Sequence, residues 1–110
     1  MITLSVAVLN FLQKLSTATD RVIKNFTNLN QKNLRGRVAY ILLFFADDIY
    51  KKHIFNLPVS RKEIAEIIGM TTENVIRIMS EMRKEGIIRI RTKEIEIKDY
   101  QRLRLIMEQG

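Results

Sequence analysis

The sequence predicts a mainly helical fold with a small β-hairpin, a winged helix-turn-helix domain preceded by a long coiled-coil dimerisation helix. Three observations predict it. Apolar residues repeat every seven positions near the N-terminus, a glycine interrupts an amphipathic helix pattern at residues 63–79, and a short isoleucine-rich segment follows. We therefore assign residues 1–32 to the dimerisation helix and residues 33–110 to the winged helix-turn-helix domain.

The first element is a heptad pattern that extends over residues 3–30. It consists of two series of residues, each repeating every seven positions, and the two series are offset by three or four residues, which is the a/d spacing of a coiled coil. Asn25 is the polar exception in this seam, and a polar residue there can fix the register of the two helices. We therefore predict a homodimer. The alternative is packing on the chain's own domain, because Leu12, Ile23 and Phe26 widen the apolar face. The predicted dimer-interface residues are Leu4, Val8, Phe11, Leu15, Ala18, Val22, Asn25 and Leu29.

The second helix begins after Asn33, a residue type that can cap it, and continues as far as Tyr50. Residues 51–59 break the apolar period, and Pro58 disfavours a helical conformation of the residue before it. We predict a loop there, with room for one short extended piece. The apolar stripe of the second helix, which should be core, consists of Leu34, Val38, Ile41, Leu42, Phe45 and Ile49.

Gly69 marks a turn between two further helices. Glycine inside a helix costs about 1 kcal/mol relative to alanine, whereas it readily adopts the left-handed conformation that ends helices. Ser60 and Glu63 have the spacing of a capping box, which starts the first helix of the pair. Two adjacent threonines can cap the second, which we assign to residues 72–85. The residues expected to pack the two helices together are Ile64, Ala65, Ile68, Val75 and Ile78.

The isoleucine-rich segment at residues 87–97 predicts a hairpin, the wing of the fold. Isoleucines alternate with arginines in its first half and with glutamates in its second half, which is the period of a strand. Thr92 and Lys93 occupy the tip, without the Asn-Gly type of pair that best fits a two-residue turn. Asp99 can cap a final helix, so residues 99–109 complete the domain.

The composition narrows the class of function. The 110 residues include 19 basic and 12 acidic ones, a formal net charge of +7 that favours an anionic partner. The chain has one histidine, no cysteine and no glycine-rich phosphate loop, so we predict that it is not an enzyme. The longest apolar run, residues 38–46, is about half of a membrane span, so no membrane partner is expected. The lack of cysteine fits a cytoplasmic location.

Side chains that can read DNA lie on the free face of the second helix of the pair. These are Thr72, Glu73 and Arg77. Arginine can pair with guanine, glutamate can accept from cytosine and threonine can contact thymine, so we predict insertion of this helix into the major groove of double-stranded DNA. Two alternatives stay open at this point: solvated charges that only complement the helix dipole, or a winged-helix module that binds another protein and has no DNA target.

Two segments resemble the C-terminal DNA-binding half of the CRP/FNR family of bacterial transcriptional regulators. They are NLRGRVAYILLFF (33–45) and VSRKEIAEIIGMTTENVIRIMSEMRKEGII (59–88). The resemblance implies a homodimer formed by the preceding helix, sequence-specific regulation of transcription, and RNA polymerase as a further candidate partner. It also implies that the effector domain is absent from this chain, which would then be a fragment or an excised domain with no cofactor of its own.

By position, the resemblance implies that Thr72, Glu73 and Arg77 read bases. Thr92 replaces the glycine that is common at the wing tip, so the tip geometry of the family is not implied. Ile76 occupies a position where some members have a serine or glycine near the base pairs, so an FNR-type target is not implied. Neither the target sequence nor the choice between activation and repression follows from the residues. The residues that the resemblance places on phosphate are Ser60, Arg61, Thr71, Asn74, Arg91 and Lys93.

Overall fold

The computed structural model describes residues 33–110, so the predicted coiled coil and its dimer interface lie outside the described residues. The described domain is mainly helical and has one small antiparallel sheet, as predicted. In chain order, its elements are α1 (Leu34–Leu43), a π-helical segment (Phe44–Tyr50), β1 (Ile54–Asn56), α2 (Arg61–Ile68), α3 (Thr72–Lys84), β2 (Ile88–Arg91), β3 (Glu94–Ile97) and α4 (Tyr100–Gln109).

Helix α1 packs against α2, α3 and α4 and is the centre of the domain. Asn33 caps it as predicted, because its Oδ1 accepts a hydrogen bond of 2.7 Å from the Gly36 N–H. Ala39 and Leu43 are buried in addition to the predicted stripe, since neighbours enclose the helix on several sides. The buried members of the predicted stripe are Val38, Ile41, Leu42 and Phe45, and the partly buried ones are Leu34 and Ile49.

The prediction of one regular helix as far as Tyr50 is wrong in its last seven residues. The α-helical geometry ends at Leu43, and Phe44–Tyr50 form a π-helical segment instead. Three successive residues of this segment, Phe44, Phe45 and Ala46, are buried. A single stripe of period 3.6 does not bring three neighbours to one face, so apolar spacing alone could not reveal the wider turns.

The helix pair has the predicted boundaries except at the end of its second helix. At the start of α2, the Glu63 N–H donates to Ser60 Oγ and the Ser60 N–H donates to Glu63 Oε1, each over 3.1 Å, which is a complete capping box. Gly69 ends the helix with φ 69° and ψ 48°, in the left-handed region. Thr71 then caps α3 by accepting from the Asn74 N–H over 3.1 Å. Helix α3 ends at Lys84, one residue before the predicted end.

Arg37 of α1 holds the turn between α2 and α3 from outside. Its Nη1 donates to the carbonyl oxygens of Ile68 and Gly69 over 3.2 and 3.0 Å. These carbonyls lie at the negative end of α2, where a guanidinium is electrostatically favoured. The turn is therefore fixed both by its own backbone and by the central helix. The predicted packing residues Ile64, Ala65, Ile68, Val75 and Ile78 are all buried at 2% exposure or less.

The sheet contains the predicted hairpin and a third strand, which lies in the segment where the sequence predicted room for a short extended piece. Strands β2 and β3 pair antiparallel, with Arg91 opposite Glu94 across the tip. Strand β1 pairs with the other edge of β3 and places Phe55 opposite Ile95, so the strand order is β1-β3-β2. A three-residue strand is too short to show a period of its own. The strand with which it pairs lies about 40 residues further along the chain, so only the folded structure identifies that pairing.

Helix α4 closes the domain as predicted. Asp99 caps it through its Oδ1, which accepts from the Arg102 N–H over 3.1 Å, and Leu103 is fully buried. Its end approaches the start of α1 so closely that a Cβ on Gly36 would lie 2.8 Å from the Gly110 Cα. Among the described residues, no helix combines the length and the apolar content that a membrane crossing requires.

We expect Arg37→Met to lower the free energy of unfolding by about 1–2 kcal/mol, because two carbonyls lose a charged donor while the aliphatic stem is kept. Arg89→Met is the matched control, since Arg89 pairs with Glu96 on the exposed sheet, and it should cost less than about 1 kcal/mol. Urea unfolding followed by circular dichroism measures both. Equal losses for the two variants would contradict the role assigned to Arg37.

Candidate nucleic-acid interface

Helix α3 separates its side chains into a buried and an exposed face. The buried residues follow helical spacing and are Val75, Ile78, Met79 and Met82. Glu73, Ile76 and Arg77 are exposed on the other side, and Thr72 is half-buried in the first turn. The structure therefore places the predicted base-reading trio on one accessible end of the helix.

Arg77 does not extend freely from this face. Its Nη1 donates to Glu81 Oε2 over 2.8 Å, and its Nη2 donates to Asn74 Oδ1 over 3.3 Å. These partners lie four residues after and three residues before it, so the guanidinium rests against the surface of α3. The side chain is nevertheless 54% exposed, which leaves it accessible to a ligand.

The predicted phosphate contacts Ser60 and Thr71 are the N-terminal caps of α2 and α3. Both hydroxyl oxygens accept backbone hydrogen bonds in the capping role, and a hydroxyl in that role can still donate its own proton. Each helix N-terminus also attracts anions through its backbone N–H groups and its dipole. The two caps therefore have the chemistry of phosphate contacts.

Arg61, also predicted to contact phosphate, joins α2 to the wing. Its Nη2 donates to the carbonyl oxygen of Thr92 over 2.8 Å, which uses part of its five-donor capacity. Burial lowers the pKa of the Arg61 guanidinium, but arginine stays protonated at neutral pH because its ordinary pKa is so high. Arg61 thus brings a positive charge to the point where helix and wing meet.

The wing tip carries Arg91 and Lys93, both exposed, on either side of Thr92. Thr92 adopts φ 54°, a left-handed conformation that is unusual for a β-branched residue and explains why glycine suits this position. Two hydrogen bonds hold the tip: the one from Arg61, and one of 2.8 Å from the Leu57 N–H to the Lys93 carbonyl oxygen. The surrounding structure fixes a conformation that the residue itself disfavours.

A shallow groove between α3 and the wing contains residues that the sequence analysis passed over. Ser80 and Arg83 line it together with Ile76. Ser80 and Arg83 follow Ile76 by four and seven residues, which is the spacing of one helix face and was the signal available in the sequence. Ile76 is 54% exposed, so its apolar side chain is accessible to a ligand on this face of α3. The groove is also lined by Arg61, Met79 and Ile90.

The comparison with known families identifies the domain. Residues 36–106 match the family described as the Crp-like helix-turn-helix domain, which is more than half of the chain. The chain belongs to this family. The resemblance noted from the sequence is therefore confirmed.

Relatives of known name are regulators of transcription. The chain is 31% identical over 84 residues to the transcriptional activator protein FnrL of Cereibacter sphaeroides. This match covers 68% of this chain and 34% of FnrL. The chain is also 37% identical over 60 residues to the transcriptional regulatory protein btr of Bordetella pertussis. This match covers 54% of this chain and 25% of btr. The chain thus spans about a third or less of the length of these relatives.

Solved structures have the same fold. FixK2 from Bradyrhizobium japonicum superimposes with a TM-score of 0.75 at 27% identity, over 93% of this chain and 52% of its own. A variant of CooA from Carboxydothermus hydrogenoformans superimposes with a TM-score of 0.71 at 25% identity. The match covers 91% of this chain and 48% of the CooA chain. Both likenesses confirm the predicted Crp-like helix-turn-helix fold.

We expect Thr92→Asn to raise the free energy of unfolding by about 0.5–1 kcal/mol, because asparagine tolerates the left-handed region better than a β-branched residue does. Lys93→Asn is the control, since Lys93 lies beside Thr92 and is not among the residues with positive φ. Thermal unfolding compares them. A gain for Lys93→Asn equal to that for Thr92→Asn would show that the wing tip stores no strain.

Proposed function

We propose that this chain binds double-stranded DNA in a sequence-specific manner as a homodimeric transcription regulator, with α3 in the major groove. The observation that carries the proposal is the exposed end of α3, where Glu73 and Arg77 lie four residues apart and opposite a fully buried face. Membership of the Crp-like helix-turn-helix family and the names of its relatives support the same function.

Base reading in this proposal is shared by three side chains. Arg77 pairs with O6 and N7 of a guanine, Glu73 accepts from N4 of a cytosine, and Thr72 contacts a thymine methyl or bonds to a base edge. Ile76, exposed between them, adds an apolar contact on the same face. These contacts select the sequence, because each base pair presents its own pattern of donors and acceptors in the major groove.

Phosphate contacts orient the helix in this proposal. Ser60 and Thr71 act from the two helix N-termini, and Arg91 and Lys93 act from the wing. Arg61 and Asn74 complete the predicted set, and Arg83 extends it along the groove. Such contacts supply affinity without sequence information and make binding strongly dependent on salt.

Dimerisation through residues 1–32 completes the proposal, and it is typical of the family. Two copies of α3 would then meet half-sites about one helical turn apart in a pseudo-palindromic sequence. We further propose that the chain works in the cytoplasm, has no enzymatic activity and carries no cofactor of its own. RNA polymerase is a further candidate partner, implied by the family resemblance alone.

We expect Arg77→Ala to lose about 1–3 kcal/mol of discrimination between a site selected from random DNA and a scrambled one, because a bidentate base contact is removed. Lys93→Ala should weaken binding to both DNAs alike and reduce the salt slope. Arg104→Ala is the control for net charge, since Arg104 pairs with Glu108 on α4. Fluorescence anisotropy titrations measure all three. Equal loss on both DNAs for Arg77→Ala would refute base reading by this residue.

We expect the wild-type chain to sediment as a dimer and Leu15→Glu to sediment as a monomer, because a charge at an a position must be buried in the seam. Gln13→Glu adds the same charge at an f position, on the outer side of the predicted helix, and should leave the dimer intact. Analytical ultracentrifugation distinguishes the species. A wild-type monomer at high concentration would refute the predicted seam.

A further inference from the structure

We propose that Glu81 is an internal competitor of DNA for Arg77, and that Arg35 sets the strength of this competition. The inference rests on the proposed function, because it concerns how a base-reading side chain is released. It assigns a specificity-determining role to two residues outside the predicted interface.

The geometry is a chain of ion pairs that joins three helices. Glu81 offers its Oε2 to Arg77 of its own helix at 2.8 Å and its Oε1 to Arg35 of α1 at 3.3 Å. Arg35 also reaches Glu85 at 3.0 Å, and Glu85 binds Arg102 of α4 at 3.1 Å. A single carboxylate is thus shared by a cation from the domain's central helix and a cation on the exposed face of α3.

Competition follows from how Arg77 is held. Its two terminal nitrogens are engaged by Glu81 and Asn74, so the guanidinium rests along the helix. A bidentate contact with guanine needs adjacent N–H donors aimed outward at the base edge, which requires the side chain to leave this position. The free energy of the pair with Glu81 is therefore subtracted from the free energy of the contact with guanine.

Arg35 lowers the cost of that release. The Glu81 side chain is 40% exposed, so water screens its charge only in part and a nearby cation still stabilises it. When Arg77 moves to DNA, Arg35 stays with Glu81 and keeps the charge paired. Arg35 also repels Arg77, because both are cations on one carboxylate. Without Arg35, Glu81 would hold Arg77 more tightly.

The test uses discrimination, the ratio of affinities for a selected site and for the same site altered at the base pair where Arg77→Ala loses its preference. Glu81→Gln should raise this ratio about twofold, since an exposed ion pair between residues four apart on a helix contributes about 0.3–0.5 kcal/mol. Glu108→Gln removes the same charge from α4, where Glu108 pairs with Arg104 outside this chain of ion pairs, and should leave the ratio close to that of the wild type.

Arg35→Met supplies the second arm. It should lower the ratio when Glu81 is present and leave the ratio unchanged in the Glu81→Gln background, because its effect passes through that carboxylate. Circular dichroism at the titration temperature confirms that each variant is folded. Discrimination is compared within each variant, so a partial loss of folded protein affects both sites equally and cancels.

The outcomes separate this inference from the function on which it rests. A ratio for Glu81→Gln equal to or below that of the wild type would overturn the competition, and a fall would show that Glu81 instead positions Arg77 for binding. Equal effects of Arg35→Met in both backgrounds would overturn the role of Arg35. If the wild type binds no DNA at low salt, the proposed function fails and the inference fails with it.

Discussion

The reversal of the chain at Gly69 is the constraint on which the rest of the domain depends. Its left-handed backbone ends α2 and lets α3 start at Thr72, and the guanidinium of Arg37 binds the two carbonyls exposed by that ending. One backbone conformation and one charged side chain thus fix the turn, and buried apolar contacts between α2 and α3 fix the crossing of the two helices. Everything proposed for the exposed face of α3 follows from this orientation, because apolar contacts across the crossing bury the opposite face completely.

Helix α1 supports the proposed interface, although none of its residues is among the proposed DNA contacts. Three consecutive residues near its start have three different roles. Arg35 pairs with Glu81 and Glu85, Gly36 permits the close approach of the end of α4, and Arg37 holds the turn. An element whose apolar stripe predicts only core therefore also places a cation beside the carboxylate that binds Arg77. This arrangement provides a physical route by which the position of α1 affects the availability of Arg77.

The wing depends on contacts that are distant in the sequence. Strand β1 pairs with β3, and Arg61 donates to the Thr92 carbonyl oxygen at the tip. A hairpin of two four-residue strands is only marginally stable alone in water. The third strand and the arginine contact therefore fix the wing against α2. They also explain how threonine can occupy a position with φ 54°, since neighbouring hydrogen bonds outweigh its local preference.

The sequence by itself determined the helix pair, the hairpin, the caps at Asn33, Ser60, Thr71 and Asp99, and the exposed position of Glu73 and Arg77. These features depend on residues within one or two turns of each other, so spacing and residue type are sufficient to predict them. Only the tertiary structure decided the π-helical segment, the pairing of Ile54–Asn56 with β3, the bond from Arg61 to the wing and the sharing of Glu81 between Arg35 and Arg77. Each joins or responds to groups far apart along the chain, and their free energies depend on distances that exist only after the helices have packed.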